Sequence, residues 1–206
     1  QSGSAYVFVR NGTAWTQQAE LERSGALADG EFGFSVALSG ERALVGAPGH
    51  DETGFSSDQG SAHALVRSGT TWTEEARVVA CDRGQDDEFG RCVDLDGDRG
   101  AVAARKRDIG CAYGLTFDGT GGGLPPPPGK LAPASGAKGD DFGYSVATDG
   151  GTIAVGAPGD DTQASESGSV RVFERAGTAW GPELRLYPGD GGAVNARLGR
   201  AVDVEG

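Results

Sequence analysis

Short apolar runs cut by glycine recur along the chain, and they predict strands. In one stretch, Phe34-Ser35-Val36-Ala37-Leu38 reads as a strand, A, and Ser39-Gly40 as a turn. Ala43-Leu44-Val45-Gly46-Ala47 reads as strand B, ended by Pro48, which cannot donate to a ladder. A polar loop runs from Gly49 to Gln59. Ser61 to Arg67 is strand C, Ser68-Gly69 turns the chain, and Trp72 to Val79 is strand D. Near the start, Asn11-Gly12 is a strong hairpin signal, and it asks both turn residues for positive φ.

The pattern repeats. Gly3-Ser4-Ala5-Tyr6-Val7-Phe8 returns at Gly60, Gly110 and Gly168, and Gly-Thr follows each leading glycine at Gly12, Gly69, Gly119 and Gly177. Phe-Gly recurs at 32, 89 and 142, with Leu-Gly at 198, so the period is 53 to 57 residues. Gly46-Ala47-Pro48 returns as Gly156-Ala157-Pro158. A period of this size marks an array whose units cannot bury their apolar faces alone. Four antiparallel strands per unit make the expected fold all-β, a β-propeller of four-stranded blades. The units run over about 2–59, 60–109, 110–167 and 168–206 of a single domain.

Phe-Gly-x-Ser-Val, then Gly-Ala-Pro, then Gly-Ser-x-x-x-Phe resembles the FG-GAP repeat, the blade of integrin α-subunit propellers. The resemblance covers essentially the whole chain. It implies an extracellular or cell-surface module for adhesion or ligand binding, not an enzyme. By that resemblance the chain holds strands C and D of one blade, three full blades and strand A of another. The family closes a ring of about seven blades, about 390 residues at this period, so the chain is expected to be a segment of a larger ring. Integrin-type repeats often carry a calcium loop between A and B, and Asp94-Leu95-Asp96-Gly97-Asp98 tempts that assignment. The Phe32–Gly46 and Phe142–Gly156 spacings match that of Phe89–Ala103, leaving no room for the longer loop, so Asp96-Gly97 is expected to be a hairpin turn.

Charge sharpens the functional expectation. The net charge is −12 over 206 residues, which argues against nucleic-acid binding and favours cationic partners. No apolar run is long enough for a membrane span. Because strands alternate in direction, the B–C loops and the loops entering strand A share one face, which gathers Asp51, Glu52, Asp86, Asp87, Asp140, Asp141, Asp160 and Asp161. That face is the expected docking surface for a protein or glycan partner, or else a solvated rim. Asp140, Asp141, Asp160 and Asp161 are a candidate weak Ca²⁺ site. Arg105-Lys106-Arg107 replaces the Gly-Ala-Pro-Gly-x-Asp register in the degenerate, cysteine-containing repeat, either pairing with nearby carboxylates or anchoring an acidic partner. Exposed blade edges could also recruit further copies into a filament or sheath. A third reading is a polysaccharide-binding or polysaccharide-active propeller.

Cys92 stands where Ser35 and Ser145 stand, and Cys111 where Ser4, Ser61 and Ser169 stand. A Cys92–Cys111 disulfide is the leading expectation and Cys81–Cys92 the next, against two small buried thiols. Asn11-Gly12-Thr13 matches the N-glycosylation pattern. Trp15, Trp72 and Trp180 share one repeat position and are expected to pack between blades. Pro125 to Pro128 should leave the third strand D short. No phosphate loop, nucleophile elbow or zinc spacing appears.

Overall fold

The computed structural model describes residues 2–23, 30–51, 58–80, 84–105, 109–117 and 129–206. Among them the regular structure is entirely β, in antiparallel sheets. The first unit contributes β1 (Ala5–Asn11) and β2 (Ala14–Leu21), a hairpin. The second blade is β3 (Ser35–Ser39), β4 (Arg42–Ala47), β5 (Ser61–Ser68) and β6 (Thr71–Val78), in that order. The third is β7 (Phe89–Asp96), β8 (Arg99–Ala104), β9 (Cys111–Thr116) and β10 (Gly129–Leu131). Its last strand is short, as the proline run required; the prolines themselves lie outside the described residues.

The fourth blade has β11 (Ser145–Asp149), β12 (Thr152–Ala157) and β13 (Ser169–Ala176). Its outer strand is split into β14 (Ala179–Trp180) and β15 (Leu184–Leu186), both paired with β13. Gly181-Pro182 falls at the break, where the other C–D hairpins carry a one-residue bulge and where a residue without an N–H does least harm. After β15, Leu198 bridges Gly168 as Phe89 bridges Gly60. Residues 201–206, where strand A of a further blade was expected, form no ladder among the described residues.

Each strand B is buried on both faces and so reads as a continuous apolar run. On β4, Leu44 faces the third blade and Val45 the first unit; on β8, Val102 and Ala104 face one neighbour while Ala101 and Ala103 face the other. The cores therefore lie between blades. Trp72 and Trp180 pack into them as expected. Trp15 does not: it is 65% exposed.

Backbone meets backbone at these junctions. A Cβ on Gly46 would lie 1.9 Å from the Gly90 carbonyl oxygen, which is why that strand position is glycine. The alanine at 103 marks the junction that dispenses with the closest approach.

The A strands are also stapled to one another by side chains. Val93 N–H donates to Ser35 Oγ (3.0 Å), and Val146 N–H, one blade on, donates to Cys92 Sγ (3.4 Å). Gly97, Gly150 and Gly206 N–H donate to Ser39 Oγ (2.9 Å), Asp96 Oδ2 (2.8 Å) and Asp149 Oδ2 (2.6 Å). Thr148 N–H donates to Asp94 Oδ2 (2.6 Å). Two carboxylates of the tempting calcium motif, Asp94 and Asp96, are thus acceptors between blades.

The disulfide expectation is overturned. Cys92 is a free thiol, which removes both proposed pairings; Cys81 itself lies outside the described residues. Cys92 lies on β7 and Cys111 on β9, with β8 between them. Two strand spacings amount to about 9–10 Å, beyond the reach of a disulfide. Each sulfur instead takes over a serine's hydrogen bond, Cys92 at the blade staple and Cys111 towards Tyr113 Oη (3.5 Å). Burial pushes the Cys92 thiol pKa up.

The turns differ from expectation in one respect. The loop of the first hairpin is Gly12-Thr13, with Asn11 still in β1 paired to Ala14. Only Gly12 is left-handed (φ 61°). The Gly-Thr repeat is therefore the two-residue loop itself, with glycine first as in a II′ turn.

Candidate functional site

Strand direction places the B–C loops and the loops entering strand A at one end of the blades. The A–B and C–D turns, with the exposed Asn11, lie at the other. At the loop end the residue before each Phe-Gly or Leu-Gly is left-handed: Glu31 (φ 53°), Glu88 (49°), Asp141 (57°) and Arg197 (54°). So are Asp58 (58°) and Glu166 (49°), two residues before Gly60 and Gly168. Such non-glycine conformations persist only where surroundings hold them. Here backbone bonds between successive units do so: Glu88 N–H to Asp58 O (2.9 Å) and Arg197 N–H to Glu166 O (2.9 Å). Charged side chains are thus projected from fixed backbone.

Beneath this rim each strand C carries a polar node two residues after its serine or cysteine. Ser4 Oγ lies 3.2 Å from Tyr6 Oη, Ser61 Oγ 2.9 Å from His63 Nε2, and Ser169 Oγ 3.5 Å from Arg171 Nε. In the three full blades the node residue packs on that blade's own phenylalanine: His63 on Phe32 (5.3 Å), Tyr113 on Phe89 (5.2 Å) and Arg171 over Phe142 (5.8 Å). His63 Nδ1 meets Glu74 Oε1 at 3.0 Å, and this bond holds the Glu74 pKa below its ordinary value.

The fourth node is ionic. Arg171 is fully buried and reaches Asp160 Oδ2 (3.3 Å), Glu183 (3.3 Å) and the Ser135 carbonyl (3.1 Å). Asp160 also accepts from Ser169 Oγ (2.5 Å), Thr162 N–H (2.9 Å) and Arg185 Nη2. Burial by itself would raise the Asp160 pKa; the bonds from Arg185, Ser169 and Thr162 outweigh it and hold the carboxyl far below its usual range.

The sequence-predicted residues separate into distinct roles. Asp87 and Asp140 are buried loop caps, accepting from Gly84 N–H (2.6 Å) and Ala137 N–H (3.0 Å). Asp160 belongs to the buried node. Asp141 takes a two-pronged bond from Arg105 (3.3 and 3.0 Å), and exposed Asp161 accepts from Glu166 N–H (2.6 Å). Asp86 is half-buried and left-handed (φ 58°). Asp51 is half-buried, with Oδ1 shielded from solvent and without a hydrogen-bond partner among the described residues. Glu52, Lys106 and Arg107 lie outside the described residues. The four aspartates of the calcium expectation are each bonded to protein donors. Among the described residues no three His, Cys, Asp or Glu side chains gather as a metal-ligating group.

One cleft interrupts the acidic rim. It has a volume of about 330 Å³ and lies where the third and fourth blades meet the last unit. Arg105, Arg197 and Arg200 line it beside Asp141, Glu166 and Tyr144. Arg197 pairs with Glu166 (2.9 Å), and Arg105 lies over the Tyr144 ring at 5.3 Å. The sequence expectations missed Arg197 and Arg200. The signal was present: Arg197 stands in the register of Glu31, Glu88 and Asp141, a reversal of sign.

Among the described residues no helix is long and apolar enough to cross a membrane. A search of curated proteins finds no match to the chain. The FG-GAP repeat profile matches residues 15–65, 72–116 and 128–173. Repeats of this kind build propeller-type protein-interaction modules, are generally non-enzymatic, and typically occur in extracellular or surface proteins. With its blades, junctions and Phe-Gly registers all in place, the chain belongs to the FG-GAP repeat family.

Proposed function

We propose that this chain is a non-catalytic docking module of an extracellular or cell-surface protein, serving adhesion or protein assembly. Its blades hold the B–C loops and the loops entering strand A against a cationic protein partner. The left-handed charged residues at the blade junctions carry this reading. Glu31 and Asp58 are exposed at fixed positions, and Asp86 is partly so, because backbone bonds between units set the loops that bear them. A protein of net charge −12 attracts such a partner at long range, and a rigid surface loses little entropy on binding it. Calcium is not needed for this role.

The test is a lysine-rich peptide titrated against the chain at low and high salt. Binding should weaken with salt and fall several-fold in a Glu31→Gln, Asp58→Asn, Asp86→Asn variant. Binding that is unchanged in that variant refutes the role of the face.

A second reading, an edge-to-edge building block, draws on a separate observation. Val36 and Leu38 are 60% and 63% exposed on the flank of β3. Large apolar side chains on an uncovered blade flank recruit other chains. Light scattering across a concentration series decides it: growth in mass supports assembly, and a constant monomer excludes it.

A further inference from the structure

We propose that the arginine-lined cleft on the loop face receives a single carboxylate side chain from the docked partner. The inference rests on the loop-face reading and adds the chemistry of one subsite to it.

The three arginines are not equivalent. Arg105 is held by Asp141 through two nitrogens, and Arg197 by Glu166. Those pairs balance the charge of two of the cleft's three guanidinium groups. Arg200 differs: it is exposed, lines the same cleft, and its guanidinium has no hydrogen bond or ion pair among the described residues. Three cations stand against two carboxylates, so the cleft carries an excess positive charge on a strongly acidic protein. Guanidinium is the side chain best suited to a planar carboxylate, which it meets with two parallel N–H bonds.

The surroundings select the ligand. A long polyanion such as a sulfated glycan would have to lie across the acidic rim, where its repeated charges are repelled. A cationic segment carrying one Asp or Glu meets no such conflict. Its basic residues fall on the rim, and its one carboxylate reaches Arg200. Tyr144, which also lines the cleft, adds a phenolic O–H donor to its wall.

The test uses the whole chain and two fluorescent peptides, one with a single glutamate between pairs of lysines, the other with glutamine in its place. Fluorescence anisotropy should show the glutamate peptide binding about tenfold more tightly, as one charge-assisted pair allows. Arg200→Ala should abolish that preference by weakening the glutamate peptide without weakening the glutamine peptide, and Arg200→Lys should retain part of it. Equal binding of the two peptides by the unaltered chain overturns the cleft assignment and leaves the loop face standing. Survival of the preference in Arg200→Ala overturns it as well. A sulfated oligosaccharide that binds, displaces the peptides and is lost in Arg200→Ala would reassign the cleft to sulfate esters. If neither peptide binds, the loop-face reading itself fails, and the cleft proposal with it.

Discussion

The flanks of β3 and β7 occupy the same repeat position and live in opposite environments. On β7, Val93 and Leu95 are 5% and 7% exposed, packed on the second blade. On β3, the corresponding Val36 and Leu38 are 60% and 63% exposed. The residues are the same pair, Val and Leu, on the same kind of strand. The difference is the neighbour: β1 and β2 supply the outer half of a blade, and among the described residues no inner strand lies against β3. An inner strand in this array therefore takes its burial from the preceding unit, and so do its outward amides, which are capped by that unit's side chains. Stability in such an array resides as much in the junctions as in the blades.

Breaking the buried node of a closed blade should cost most. Asp160→Asn removes the buried carboxylate shared by Arg171 and Arg185 and leaves only Glu183 against the two, and the loss should be about 3–5 kcal/mol in chemical denaturation. Glu20→Gln at the exposed Tyr6 node of the open unit should cost less than about 0.5 kcal/mol. The pH dependence follows from the depressed Asp160 pKa. Its contribution is complete above the unfolded carboxyl value of about 4 and is lost only as the pH falls well below it. Acid-unfolding curves should show the Asp160→Asn and unaltered chains converging only at strongly acid pH.

Next comes the matched pair itself. Leu95→Ala should destabilise by about 2–5 kcal/mol and Leu38→Ala by less than about 0.5 kcal/mol, both read from denaturant midpoints. Similar losses at the two sites would mean that β3 is covered in solution. Smaller still is the staple at Cys92. Cys92→Ala should cost about 1 kcal/mol by orphaning the Val146 amide, while Cys92→Ser, which restores the acceptor found at Ser35, should be near neutral. The native thiol should also alkylate slowly, since burial raises its pKa.

The repeats in the sequence carried the architecture, because strand breaks at Gly-Thr, Gly-Ala-Pro and Phe-Gly are local events written in local residues. The double burial of strand B was legible in Ala43–Ala47 for the same reason. What sequence alone concealed was long-range. Cys92 and Cys111 looked like a pair because they fell in one unit, but two strand widths of sheet separate them. The spacing already set Asp94 and Asp96 apart from a calcium loop, but their roles as acceptors became clear only when the next blade's amides were in place. Asp87 and Asp140 looked like surface charge but are buried caps on their own loops, whereas Arg197 required the last unit to be set against the others before its reversed charge stood out.

The most direct test of the central claim, that each unit is locked to the one before it, is residue-resolved hydrogen exchange of the outward amides of the A strands. The amides of Val93, Gly97, Thr148 and Gly150, each bonded to the preceding unit, should exchange at least about tenfold more slowly than those of Val36, Leu38 and Gly40, which occupy the same registers on β3 and its turn. Equal rates in the two sets would contradict it.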